Sequence, residues 1–454
     1  MAGLIETLRY GAWLTRERMR LVAVLLLAAT LAGAVFLAAT SDGRNDRFGR
    51  PLGTDFSNVY AAGTFVLAGK AAVPFDPARQ YAREQAIFGT DTQFYGWHYP
   101  PFFLGLAALL ALMPYWLALA LWQGVTLVLY VLAVRAVLLI PPPLAGEGGL
   151  RSWPDAGAAI VPDITTPPVS ALRAEPPSPF SGGIERLWLL LALAFPAVFI
   201  NLGHGHNGFL TAALFAAGLL QLDRRPWLAG VLFACLAYKP QFGLLIPVVL
   251  TASSRWRAFV SAAITVALLA LAVTLAFGTD VWRAFLASTT FTRTVVLEQG
   301  GTGWHKIQSA FSVVRMWGGG IALAYSVQIA TTLFVAAALA WLWRGRAPFA
   351  HKAAALMIGT VLATPYSLDY DLMLLAPAIA FLAADGMQRG FAPWEKTILA
   401  LLWIAPLVTR LVAQATLIPV AVPAMLLCFM FLLRCAMVEN AAPGQWRFAA
   451  RTLK

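Results

Sequence analysis

The feature that most constrains this chain is a succession of apolar runs, several of them long enough to cross a bilayer, separated by short turns that carry arginine. After an Arg-bearing start (Arg9, Arg16, Arg18, Arg20), the first run extends from Leu21 to Ala39. Others follow near 101–113, 116–140, 187–201, 208–222, 226–238, 241–252, 258–277, 320–343, 353–364, 371–384, 397–412 and 414–433. A bilayer core takes about 20 helical residues, against about 7–15 for the apolar part of a signal peptide. Residues 21–39 therefore read as an uncleaved first span entering from the cytoplasm. With 60% of its residues apolar and only 12% charged, the chain is excluded from the soluble, disordered and coiled-coil classes. Lipid leaves irregular backbone unpaired, so every run is expected to be a helix. The fold expected is an all-α polytopic membrane protein, one integral domain over residues 1–454, with about 11–13 transmembrane segments.

The charge supports this. Lys and Arg number 33 against 21 Asp and Glu, a formal +12. In a polar domain such an excess points to nucleic acid; here the cations sit in turns between spans, so the bilayer is the partner and nucleic acid is not. Arg224/Arg225, Arg255/Arg257, Arg344/Arg346/Lys352, Arg389/Lys396, Arg434 and a tail (435–454) with Arg447, Arg451 and Lys454 read as cytoplasmic. Three stretches are too polar for lipid: a long first external loop (40–100), a Pro-rich linker (141–185) and a second external loop (278–317). Counting back from the Arg turns places 278–317 outside, along with the turns at 202–207, 239–241 and 365–371. The count closes only if 101–113, which ends at Pro114, enters the membrane without crossing it; the halves of 226–252 are similarly short. Cys235, Cys428 and Cys435 lie in apolar stretches without paired spacing, so neither a disulfide framework nor a zinc site is expected.

Costly polar residues gather on the predicted outer face. They are Asp55 to Tyr60; His98 and Tyr99; His204, His206 and Asn207; Lys239 and Gln241; and Asp369, Tyr370 and Asp371. Each has a plain structural reading. Asp55, Asp369 and Asp371 suit helix caps, Tyr99-Pro100-Pro101 suits a rigid helix entry, and Lys239 suits an interfacial lysine. Gly203–Asn207 suits a tight turn, and two His at i, i+2 are a weak metal signature. A charge at mid-bilayer costs about 2.5–3.5 kcal/mol, so five convergent clusters indicate one polar cleft opening outward. Its composition fits an anionic, sugar-bearing ligand. Lys and His answer a phosphate, carboxylates answer hydroxyls, and Tyr60, Trp97, Tyr99, Trp304 and Tyr370 offer faces to a pyranose. No Gly-rich phosphate cradle is present, which favours a lipid-linked donor over a nucleotide sugar.

At these residues the chain resembles glycosyltransferase family 87, membrane mannosyltransferase-like proteins of GT-C architecture. The resemblance rests on Asp55-x4-Tyr60-Ala61-Ala62-Gly63, Leu67-x-Gly69, Phe75-Asp76-Pro77, Tyr99-Pro100-Pro101-Phe102 and Gly203-His204-Gly205-x-Asn207-Gly208-Phe209-Leu210. It continues through Pro226-x2-Ala229-Gly230, Tyr238-Lys239-Pro240-Gln241, Arg255-Trp256-Arg257 and Pro365-Tyr366-x2-Asp369-Tyr370-Asp371-Leu372, covering roughly residues 50–375. It departs at His206, where the pattern has Gln, and 141–185 has no counterpart. The resemblance implies a polyprenyl-phosphate-sugar donor, often mannose, and transfer outside the cytoplasm to a lipid or glycan acceptor. The protein would then sit in the plasma (inner) membrane with its site on the periplasmic or exterior side. It also implies an acidic base in the first external loop, at Asp55. Lys239, aided by His204 or Arg293, would answer the departing phosphate, with inversion at the anomeric carbon and no cofactor or metal. Two other classes compete. A secondary transporter would show inverted repeats, which are not visible. An O-antigen-type ligase would carry its large external loop late, whereas here the longest comes first.

Overall fold

The computed structural model describes residues 2–139 and 184–441. Apart from residues 184 and 185, the Pro-rich linker lies outside them, as do Arg447, Arg451 and Lys454 of the tail. A short helix, α1 (Ala2–Tyr10), precedes α2 (Arg16–Ala39). The first polar loop contains α3 (Phe56–Leu67) and α4 (Pro77–Phe88). Next come α5 (Leu104–Ala111), α6 (Tyr115–Leu138), α7 (Ile184–Leu193), α8 (Pro196–His204) and α9 (Gly208–Gln221). The segment 226–252 is broken into α10 (Pro226–Ala234), α11 (Pro240–Gly243) and α12 (Leu245–Ala252). Then follow α13 (Trp256–Phe277), α14 (Asp280–Phe291), α15 (Ala310–Met316), α16 (Ile321–Arg344) and α17 (Phe349–Leu362). The chain closes with α18 (Leu375–Arg389), α19 (Glu395–Thr416) and α20 (Ala421–Ala441). Among the described residues there is no strand, only two isolated bridges. The chain is an all-helical polytopic membrane protein.

Each of the thirteen apolar runs is largely helical over its described residues. Seven helices are long and apolar enough to cross a membrane, or eight if α7 and α8, bent by 44°, form one span; six others are apolar but shorter. The sequence-based count of 11–13 crossings thus included short helices. The last span also starts later than the run at 414: Leu417 takes φ 61° and Pro419 follows, which ends α19 and delays α20 to Ala421.

Two faces are defined by contacts between helix ends. On one, Arg255 Nη2 meets Asp223 Oδ1 at 2.8 Å, and the Arg255 guanidinium lies 5.3 Å from the Trp343 ring. Lys352 Nζ donates to Gly345 O, Arg346 N donates to Asn440 Oδ1, and Trp394 N donates to Arg9 O. The Arg-bearing turns therefore share one face. On the other, Ile307 bridges Leu368, Trp317 Nε1 donates to Leu417 O, and Asp55 N donates to His204 O.

This arrangement explains the short elements. Helix α5 has eight residues, about 12 Å. Tyr115, just after it, donates to Leu52 O and packs against Phe88 in the first polar loop. So α5 begins and ends near the same face, as the crossing count requires. The 226–252 segment behaves likewise: Asp223 and Arg255 bring both of its ends to the basic face, and Lys239-Pro240 forms its far apex. Around these, α17 and α18 form the buried centre; 83% of the Asp369–Arg389 window is buried, against 11% for α2 and α13, whose apolar surfaces suit lipid.

Helices α3 and α5 touch backbone to backbone at Gly63, where an added Cβ would stand 2.1 Å from Ala107 O. Gly63→Ala is expected to lower the thermal unfolding midpoint, at a cost of about 1–3 kcal/mol. Gly105→Ala in α5, where a Cβ meets nothing within 4 Å, should instead leave the midpoint the same or raise it, by up to about 1 kcal/mol.

Candidate active site

On the face opposite the arginines, the ends of these elements enclose a cavity of about 380 Å³. Asp55 and Asn58 enter it from the start of α3, Tyr95, His98 and Tyr99 from the stretch before Pro100, and Tyr238 to Gln241 from the apex of the 226–252 segment. The 364–371 turn and the end of α14 with the π-helical turn Thr292–Glu298 complete the wall. The volume falls within the roughly 300–1,000 Å³ usual for small-molecule sites.

Asp55 is placed by two glycines. Gly53 (φ 61°) and Gly205 (φ 63°) both adopt left-handed backbone, and a Cβ on Gly53 would stand 3.3 Å from Gly205 Cα. This close approach lets Asp55 N donate to His204 O at 3.0 Å. The Asp55 carboxylate then lies 3.7 Å from His204 Nδ1, which is itself 2.8 Å from Thr54 Oγ1. Asp55 heads α3 but makes no side-chain cap bond, so the cap reading gives way to a carboxylate facing the cavity. Burial pushes the Asp55 carboxyl above its usual range, against the pull of His204, Lys306 and Lys239.

Opposite, Lys239 Nζ donates to Asp371 Oδ1 at 2.6 Å, and both side chains are almost wholly buried. Asp371 Oδ2 also accepts Leu368 N at 3.0 Å, and the ammonium lies 5.1 Å from the Tyr370 ring centre. The His206 ring stacks on Tyr370 with centroids 3.4 Å apart, and Tyr99 Oη is 3.2 Å from His206 Nε2. Behind them Asn201 joins three segments, donating to Ala197 O and Tyr370 O and accepting from Gly208 N.

The structure thus brings Asp55, His98, Tyr99, His206, Lys239, Gln241, Arg293, Tyr370 and Asp371 to one cavity wall. His204 and Asn207 stand beside it. Asp369 turns away: Oδ1 accepts Tyr370 N and Oδ2 lies 3.7 Å from Arg410 Nη1. Tyr60 does not join; it donates to Met113 O and lines a separate cavity. Trp304 also lies off the wall, under the Arg315 guanidinium. Arg293 is 61% exposed at the rim, 3.6 Å from Glu298. His98 is held neutral by burial, its pKa lowered to about 4, and Nδ1 is 2.9 Å from Thr292 Oγ1. Among the described residues no three His, Cys, Asp or Glu side chains gather as metal ligands.

Sequence reasoning gave several groups no role of their own. Asn58, one helical turn after Asp55, is 4% exposed and its Oδ1 has no partner among the described residues. Lys306 sits half-buried within electrostatic reach of Asp55 and Asp369, its pKa lowered by burial and by Arg410. Fully buried Glu84 in α4 accepts Gln80 Nε2, Tyr95 N and Gly96 N, fixing the strand-like stretch that leads into His98 and Tyr99.

The family model of glycosyltransferase family 87 matches residues 97–365. The chain belongs to glycosyltransferase family 87. It is a membrane glycosyltransferase, and the matched stretch includes His98, Tyr99, His204, His206, Asn207, Lys239, Gln241 and Arg293. Asp55, Tyr60 and the Asp369–Asp371 turn lie outside the match; Asp55 and Asp371 are joined to the matched residues only through the geometry of the cavity. No curated protein and no solved structure matches the chain.

Two outcomes follow from the buried charges. Lys239→Met strands the Asp371 carboxylate and should cost about 3–5 kcal/mol; Lys239→Met/Asp371→Asn, which keeps an acceptor for Leu368 N, should recover most of it in thermal unfolding. Burial raises the Glu84 pKa from 4.5 to about 7 despite its three donors. The folded state therefore holds a proton that the unfolded chain releases. This contribution is complete below pH 4.5 and is lost as pH rises to about 7, at most roughly 3 kcal/mol. Glu84→Gln should flatten the dependence of the unfolding midpoint between pH 5 and 8.

Proposed function

We propose that the protein moves a hexose, in the first instance mannose, from a polyprenyl-phosphate donor to a lipid or glycan acceptor. The site would work on the non-cytoplasmic face of the plasma (inner) membrane, with the Arg-rich face toward the cytoplasm. One observation carries the reading: in a family 87 glycosyltransferase, a proton-affine carboxylate, Asp55, opens onto the cavity beside His204.

In this reading Asp55 takes the proton of the acceptor hydroxyl as its oxygen attacks the anomeric carbon. The bond from that carbon to the phosphate oxygen breaks on the opposite side, polyprenyl phosphate leaves, and the configuration inverts. The transition state is oxocarbenium-like, as in glycoside hydrolysis. Asn58 Oδ1 faces the sugar or acceptor hydroxyls, and Tyr99 on the cavity wall flanks the pyranose. The departing phosphate meets cations at the rim. Lys239 is already matched by Asp371, so Arg293, loosely held by Glu298 at the rim, carries more of that charge than the sequence-based assignment to Lys239 implied. Neither cofactor nor metal takes part in this scheme.

Purified protein in nanodiscs, given radiolabelled polyprenyl-phosphate-mannose and a membrane-lipid extract, should transfer label to a new product. Asp55→Asn should lower the rate by about 10²–10⁴-fold without loss of folded protein, and near-normal turnover would remove Asp55 from the base role. Because the base must be ionised, kcat/KM should fall as pH drops through a pKa above the ordinary aspartate value near 4. An acid limb at or below that value would argue against Asp55.

A further inference from the structure

A second cavity, of about 490 Å³, shares no lining residue with the first. Arg44, Arg83 and Asp42 line it above the turn between α5 and α6, with Tyr60, Tyr115 and Trp116 beneath. The rings of Phe56 and Phe88, both packed on Tyr115 at 5.5 and 4.8 Å, back it on the side of α3 and α4. Its position marks a depth. Trp116 lies in the first turn of the 24-residue span α6 and is 59% exposed; Leu109 and Leu112 on the same hairpin are 61% and 66% exposed. Exposed Trp at the end of a span belongs to the headgroup layer, with apolar side chains toward the acyl region.

The polar groups are oriented from behind. Arg83 Nε donates to Thr64 Oγ1 at 2.9 Å, and its guanidinium lies 5.9 Å from the Phe65 ring. Arg44 Nη1 donates to Ile87 O at 3.1 Å. Both guanidiniums keep donors to spare, a geometry that suits a phosphate. Asp42 is pinned by the main-chain N–H groups of Arg44 and Asn45, which hold its carboxyl below the usual range. Two cations and one fixed carboxylate at headgroup depth match a phosphate ester whose other end donates hydrogen bonds.

We infer that this cavity seats the headgroup of a membrane glycerophospholipid, the phosphodiester between Arg44 and Arg83 and a headgroup ammonium or hydroxyl against Asp42. Ethanolamine and glycerol headgroups can donate to Asp42; the trimethylammonium of choline cannot. The bound lipid would anchor the first polar loop to the α5–α6 hairpin, apart from the reaction cavity.

The test is native mass spectrometry of the full chain from mixed micelles holding equal phosphatidylethanolamine, phosphatidylglycerol and phosphatidylcholine. Wild type should retain one lipid, with ethanolamine or glycerol headgroups favoured about tenfold over choline. Arg44→Gln/Arg83→Gln should lose that retained lipid, and Asp42→Ala should keep a lipid but lose the preference. Arg44→Lys/Arg83→Lys, which keeps the charge but not the forked donors, serves if the glutamine pair does not fold, and should bind more weakly than wild type. Equal retention by wild type and the arginine variants would overturn the proposal as ordinary annular lipid. So would displacement of the lipid by equimolar soluble glycerophosphoethanolamine, which would make this a site for a free phosphate ester.

Discussion

The wall of the main cavity is organised around the ion pair between Lys239 and Asp371. Two charges taken out of water are costly, and their attraction offsets that only when contact is short and the remaining lone pairs are used. Both conditions hold: the contact is 2.6 Å, and Leu368 N–H occupies the second carboxylate oxygen. The pair joins the apex of the 226–252 segment to the turn that begins the most buried span.

Irregular backbone within a bilayer persists only where it is covered by protein or lines a wet cavity. The elements that stop short do this from both faces. Helix α5 and the 364–371 turn belong to the face of the cavity, while the 226–252 segment rises to meet them from the arginine face. Their ends supply loops, and loops supply directed polar atoms; the long helices α2, α13 and α16 around them supply a lipid-compatible exterior. The first polar loop closes the arrangement, with Glu84 holding Tyr95 and Gly96 so that His98 and Tyr99 face inward.

Much of this was legible in the residues. The cost of charge near lipid singled out Asp55, Lys239 and Asp371, and crossing parity required that 101–113 turn back. Tyr60 misled because it shares a motif with Asp55, yet five residues on a helix is a rotation of about 140°, so the two cannot face one cavity. The same arithmetic favours Asn58, three residues on and about 60° away, a signal that was present and not used. Asn201, Glu84 and Lys306 had no local signal. Their importance comes from chain crossings that bring 201 against 370, 84 against 95 and 306 beside 369, and a sequence without known contacts does not order those. The positions at which α19 ends and α20 begins were set by Leu417 and Pro419, where apolarity runs on but backbone geometry does not.

The touching glycines at 53 and 205 lie just behind Asp55 and leave no side chain between the two backbones. Any residue larger than glycine there would part Asp55 from His204, so that corner of the cavity has almost no freedom to drift. The facing wall is different: Ser288, Thr289 and Thr292 are short hydroxyl-bearing residues on a helix that passes into a π-turn, and exchanging one reshapes the space without disturbing the carboxylate. Divergence among relatives in the sugar or acceptor they accept should therefore accumulate along that wall, and directed evolution of new specificity has its natural library there.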